Sequence, residues 1–139
     1  MSGYYTKLQG HVYDGSHEAA EPLANGVFAE ITAGGVAKVT AAKDVKLRVA
    51  EKTVLFDKPA LILDVVSVGT DEVFFVENEI PVLNGETWDE STYELPVQTQ
   101  VRMKRPLPGE QVITTVADPL YASVNVGDIV APAAGGTVA

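Results

Sequence analysis

The two histidines, His11 and His17, are the side chains of this sequence best suited to bind a metal or carry a proton. They stand six positions apart, with Asp14 and Glu18 close by, in a stretch of no sustained periodicity. A zinc site needs a third ligand and a spacing that turns the rings toward one point. This stretch provides neither, so no metal ligand is assigned. Among the carboxylates, Glu72, Glu77 and Glu79 surround the apolar run in "TDEVFFVENEIP", and Glu77 and Glu79 would share one side of a strand. Paired carboxylates hydrolyse glycosides when held about 5–10 Å apart. Here no adjacent apolar site raises the pKa of one of them, and the pattern reads as a solvated strand end.

Nucleophile signatures are missing. The chain has no cysteine, and Ser67, Ser91 and Ser123 lie outside any G-x-S-x-G elbow. Gly34-Gly35 and Gly135-Gly136 lack the lysine and the strand–helix context of a phosphate loop. The stretch "VNVGDIVAP" has a turn like those of biotinyl and lipoyl carrier domains, but such carriers need a modifiable lysine at a hairpin tip. Met103-Lys104 instead sits in an alternating strand and is followed by Arg105-Pro106. Gly127 and Asp128 are therefore read as a structural turn, with Gly127 at positive φ and Asp128 bonding to nearby backbone. No catalytic or cofactor-binding residue is assigned, no cofactor is expected, and the chain is not read as an enzyme.

Two groups remain that could contact a partner. In "VRMKRPLPGE", Arg102 and Lys104 would share an outward strand face, and Arg105 precedes the rigid Pro106-Leu107-Pro108-Gly109 turn. This patch could dock on an acidic groove, or it could be a solvated face balancing Glu86, Glu90 and Glu94. Trp88 and Tyr93 in "TWDESTY" could form a sugar-binding platform, or an aromatic pair in a core or interface.

The elements that must position these residues are mainly β. At 139 residues the chain suits one domain able to bury roughly two thirds of its unfolded surface. "VKLRV" alternates, with Val45, Leu47 and Val49 inward. "ALILDVVSV" and "EVFFV" are apolar enough for burial on both faces. "VQTQVRMK" alternates again, and "QVITTV", "LYASV" and "DIVA" follow as short strands. "TAAKD", "NGETWDESTYE" and Glu18 to Glu21 can each hold at most a turn of helix. The expected fold is a small β-barrel or β-sandwich over residues 25–139, preceded by an N-terminal segment, 1–24, and ending in a small-residue tail that frays unless a neighbouring chain holds it. The N-terminal segment is either an extended arm or an edge strand folded back on the domain. A net charge of −9 opposes non-specific nucleic-acid binding. No signal peptide is visible, and the longest apolar run, Ala60 to Val68, is too short for a membrane span.

The order of parts resembles the head decoration, or cement, proteins of tailed bacteriophages. The resemblance is carried by the tyrosine-bearing N-terminal segment, "LANGVFAEI", "VTAAKDVKLRVAEK", the "GETWDESTYEL" linker and the final "VNVGDIVAP". It implies a mainly β, non-enzymatic structural protein, made in the host cytoplasm and bound to the capsid exterior. It further implies a homo-oligomer, trimer favoured over dimer, whose partner is the major capsid protein. Tyr4, Tyr5, Leu8, Val12 and Tyr13 would then be apolar anchors of a clamping arm, joined by Arg102, Lys104 and Arg105 as capsid contacts. A tail or baseplate structural protein and a carbohydrate-binding β-domain are the alternatives.

Overall fold

Every second residue of "VKLRV" is buried: Val45, Leu47 and Val49 are inaccessible while Lys46 and Arg48 are exposed. That period of two belongs to a strand with one face on a core. The computed structural model describes residues 6–7, 13–14, 17–55, 57–77, 82–83, 86–87 and 94–139. Its strands are β1 (Thr6–Lys7), β2 (Tyr13–Asp14), β3 (Leu23–Ala24), β4 (Phe28–Thr32), β5 (Gly35–Lys38), β6 (Val45–Leu55) and β7 (Lys58–Val68). They continue as β8 (Phe74–Val76), β9 (Val82–Leu83), β10 (Glu86–Thr87), β11 (Glu94–Leu95), β12 (Met103–Lys104), β13 (Gln111–Thr115) and β14 (Ile129–Val130), with one helix, α1 (Asp118–Ser123), before the last.

Two five-stranded antiparallel sheets dominate. Sheet A has the order β1-β13-β7-β6-β14 and sheet B the order β2-β12-β8-β4-β5; β9–β10 and β3–β11 form small ribbons. The fold is thus mainly β, as the sequence implies, and takes the sandwich form. Between the sheets lie Leu47, Leu61, Leu63, Val65 and Val112 from A, facing Phe28 and Phe75 from B. The other face of sheet B is also covered: Ala29, Val36, Phe74, Val76 and Met103 pack with Ala19, Leu23, Leu95 and Val101.

"EVFFV" is therefore buried on both sides, as expected: Phe75 enters one core and Phe74 the other. "ALILDVVSV" is not. Leu61, Leu63 and Val65 are buried, but Ile62, Asp64 and Val66 are half-buried. Sheet A carries a core on one face only, which is why Asp64 is tolerated in the middle of that run. The ladder between β6 and β7 shifts register at Lys46/Leu47 and again at Val49/Glu51. Such bulges bend and twist the pair.

The division at residue 24 needs correction. Leu23 is fully buried and Ala19 nearly so. Around them Val36 N–H donates to Glu18 O and Ala20 N–H to Val36 O, each at 2.8 Å, while Gln98 N–H donates to Ala19 O at 2.8 Å. Residues 17–24 belong to the domain because their apolar side chains complete the core beneath sheet B. The same pairings leave no helical turn over Glu18 to Glu21. Earlier in the chain, β1 pairs with β13 and β2 with β12, two residues each, at the outer edges of sheets A and B.

Two more expectations change. "LYASV" is helical, not extended: Pro119 stands in the first turn of α1 and Asp118 complements its N-terminal dipole. Leu120, Tyr121 and Val124, at helical spacing, pack on the core. Lys52 ties this end of the sandwich down, donating from Nζ to Val124 O at 3.0 Å beside the Tyr121 ring. "TAAKD" forms no helix, and Lys43 N–H is taken by Pro132 O. The C-terminal tail does not fray. Ala131 and Ala139 exchange backbone hydrogen bonds at 3.0 Å, and Val138 is buried in the main core. Gly136 makes this return possible: its φ is +77°, and a Cβ there would lie 2.8 Å from Phe28 O.

The buried tail leads to an expected outcome. Val138→Ala should lower the unfolding free energy by about 2 kcal/mol in urea denaturation. An unchanged midpoint would mean that the tail carries no core weight.

Candidate functional site

The segment leaving β12 forms one wall of a surface cavity, and the loop leaving β7 forms the other. The cavity holds about 220 Å³. Val73 and Pro106 are buried at its base, while Val68 and Leu107 are 38% and 45% exposed at its lips. Arg105 and Glu72 face each other across it, with Arg105 Nη2 donating to Glu72 Oε2 at 2.9 Å. Both side chains are more than half exposed, so this pair orients the guanidinium more than it stabilises the fold. The guanidinium carbon also lies 5.4 Å from the centre of the Phe74 ring.

Asp44, just before β6, organises the β7 wall. Its Oδ2 accepts from Thr70 N–H at 2.8 Å, its Oδ1 accepts from Asp71 N–H at 2.9 Å, and its own N–H donates to Asp71 Oδ2 at 3.0 Å. The Asp71 amide, then that of Thr70, holds the Asp44 carboxyl below its ordinary pKa, so the carboxylate stays ionised through the neutral range. On the opposite wall, Glu110 Oε1 accepts from Leu107 N–H at 2.7 Å, and Glu110 N–H donates to Leu107 O at 3.1 Å. These paired bonds close the Pro106–Gly109 turn.

Beneath that turn lies a buried ammonium. Lys104 is expected on an outward face with Arg102, but it is 1% exposed. The reason is register: Lys104 pairs with Phe75, so its side chain shares the face of sheet B that looks into the sandwich. Its Nζ lies 5.8 Å from the centre of the Phe75 ring and has no hydrogen-bond partner. Oε2 of the buried Glu110 has none either. Burial pushes the Lys104 pKa down, while the negative charges of Glu110 and Glu77 pull it back up.

Arg102, Lys104 and Arg105 therefore do not form one patch. Arg105 reaches the cavity, Lys104 points inward, and Arg102 is half-buried with its carbonyl accepting from Glu77 N–H at 3.0 Å. The alternating strand expected over 97–104 shrinks to β12, because Gln98 adopts φ +60° in a turn. Arg105 pairs with Glu72, while Glu90 and the Glu86 side chain lie outside what the structure describes. Tyr4, Tyr5, Leu8, Val12, His11, Glu79, Trp88 and Tyr93 lie outside the described residues, and Tyr13 stands in β2. Among the described residues no group of three His, Asp or Glu side chains is placed to hold a metal ion. No helix among them is long and apolar enough to cross a membrane.

Sequence reasoning overlooked the "VGTDE" loop and its Asp44 clamp. Gly69, Thr70 and Asp71 announce a turn, but nothing local announces a carboxylate more than twenty positions earlier as its organiser. No protein-family model, curated protein or solved structure matches the chain.

The buried lysine has a pH signature. The folded state holds the Lys104 proton less tightly than the unfolded chain, whose lysine titrates near 10.5. Stability should thus rise as pH climbs from the lowered folded pKa toward that value. Lys104→Met should abolish this alkaline gain. Combined with Glu110→Gln, which keeps an acceptor for Leu107, it should be at least as stable as the parent at neutral pH. Lys104→Met alone, leaving a buried carboxylate uncompensated, should be the least stable of the three in urea denaturation.

Proposed function

We propose that the chain is a structural virion protein of the phage head-decoration type, adding to the outside of an expanded capsid and bridging its major capsid subunits as a homo-oligomer, with a trimer favoured. The observation that carries this reading is the way the N-terminal segment meets the domain. A single stretch of chain supplies β1 to the edge of sheet A and β2 to the edge of sheet B, through two residue pairs each. Edges that accept a strand so briefly suit strand exchange with a neighbouring subunit, where main-chain hydrogen bonds give affinity and alternate side chains give specificity. Tyr4, Tyr5, Leu8, Val12 and Tyr13 would serve as the anchors of that exchange. A sandwich with a core on each face of sheet B supplies a rigid base.

The domain boundary decides the test. Removing residues 1–14 deletes β1 and β2 but spares the core residues Ala19 and Leu23. That variant should keep the melting transition of the β-sandwich and fail to co-sediment with expanded heads, whereas the full chain should bind expanded heads and not unexpanded procapsids. A longer deletion through Pro22 should also cost about 2–4 kcal/mol of stability, since it removes Ala19 and its hydrogen bonds. Undiminished binding by the 1–14 deletion would sink the clamp.

A further inference from the structure

We propose that the cavity between the β7–β8 loop and the Arg105–Leu107 segment is a socket for one apolar anchor side chain of a protein partner, carried on a segment with Lys or Arg beside the anchor. Only the identity of that partner, a capsid subunit, rests on the function proposed above; the socket's chemistry stands on its own geometry.

Size selects the occupant. At about 220 Å³ the cavity falls below the roughly 300 Å³ where sites for small molecules and cofactors begin, and it suits a single side chain. Shape and polarity point the same way. Val68 and Leu107 expose apolar surface on facing lips, and Val73 and Pro106 continue it to the base. An inserted aliphatic or aromatic group would cover the exposed surface of Val68 and Leu107, the arrangement in which a few pocketed side chains dominate binding energy.

Both walls are set before a partner arrives. The Asp44 carboxylate fixes Thr70 and Asp71, Gly69 N–H donates to Asp44 O at 3.1 Å, and the Glu110–Leu107 pair fixes the other lip. Gly109 N–H, donating to Val65 O at 2.9 Å, ties that lip to sheet A. A pocket already held by such bonds loses little conformational freedom on binding.

Charge selects what flanks the anchor. Asp44, Asp71 and Glu72 stand on or behind one wall, and Arg105, the one base lining the cavity among the described residues, is already engaged by Glu72. The mouth is net negative within a chain of formal charge −9. A cation beside the anchor is therefore drawn in, and a carboxylate there is repelled.

The test uses the full chain, labelled with nitrogen-15, and three capped tripeptides: Lys-Leu-Lys, Lys-Ala-Lys and Glu-Leu-Glu. Lys-Leu-Lys should shift the amides of residues 68–73 and of Leu107, while leaving those of β14 and α1 in place. Shortening the anchor to alanine should weaken binding about tenfold. Glu-Leu-Glu should bind more weakly than Lys-Leu-Lys, and the gap should narrow in high salt. Leu107→Ser, at an exposed position, should weaken Lys-Leu-Lys while preserving the spectrum elsewhere. Shifts spread over other faces, an absence of shifts, or equal response to the three peptides would overturn the socket. Since no capsid enters the measurement, a chain that takes the peptide but ignores heads keeps the socket and loses the decoration reading. A chain that decorates heads but ignores the peptide does the reverse.

Discussion

Phe28 and Phe75 meet edge to face with ring centroids 5.2 Å apart, on the inner side of sheet B. Much of the molecule follows from that contact. It places β4 and β8 side by side with their large rings against Leu47, Leu61 and Leu63 of sheet A. Alternation then obliges Phe74, Val76 and Ala29 to face the other way, where they need a second cover. Residues 17–24, β11 and Val101 provide it. The same alternation binds β12: once Phe75 looks inward, its ladder partner Lys104 must follow, and Met103 must join the second core. Arg105, beyond the end of that ladder, is the first basic residue free to turn to the surface.

The parts legible in the sequence are those where one strand's own pattern decides the outcome. "VKLRV" alternates because sheet A has one wet face, and "EVFFV" does not because both faces of β8 are covered. The turn at Gly127-Asp128 was equally readable, since Gly127 adopts φ +96° and Asp128 Oδ2 accepts from Asn125 N–H at 2.8 Å. What failed was set by partners distant in sequence. Lys104 looks like a surface residue until its register with Phe75 is known. The tail looks like a fraying end until Val138 is seen to fill the core beside Val39 and Val130. α1 was misread for a different reason: Leu120, Tyr121 and Val124 carry a helical spacing, but the flanking strands invite the wrong period.

An acidic chain that buries a lysine without a hydrogen bond gives up stability at that position, because the cation loses its water and recovers little from one aromatic ring. Nearby Glu110 makes the arrangement tolerable and also uses its other oxygen to close the turn that carries Leu107. Core electrostatics and surface shape are coupled through this one carboxylate. The cavity lip is thus supported from inside the sandwich as well as from the Asp44 side. Hydrogen bonds within the chain set the geometry of this lip on an otherwise irregular connection.

The brief N-terminal ladders have a mechanical meaning. β1 and β2 hold their sheets through two residue pairs each, whereas β6 and β7 are joined along almost their full length. A load applied through the N-terminus would therefore peel the edge pairs in succession before it strained the central hairpin. Two-pair ladders in series with a long hairpin would give way first, as a fuse does, and spare the hydrophobic body behind them.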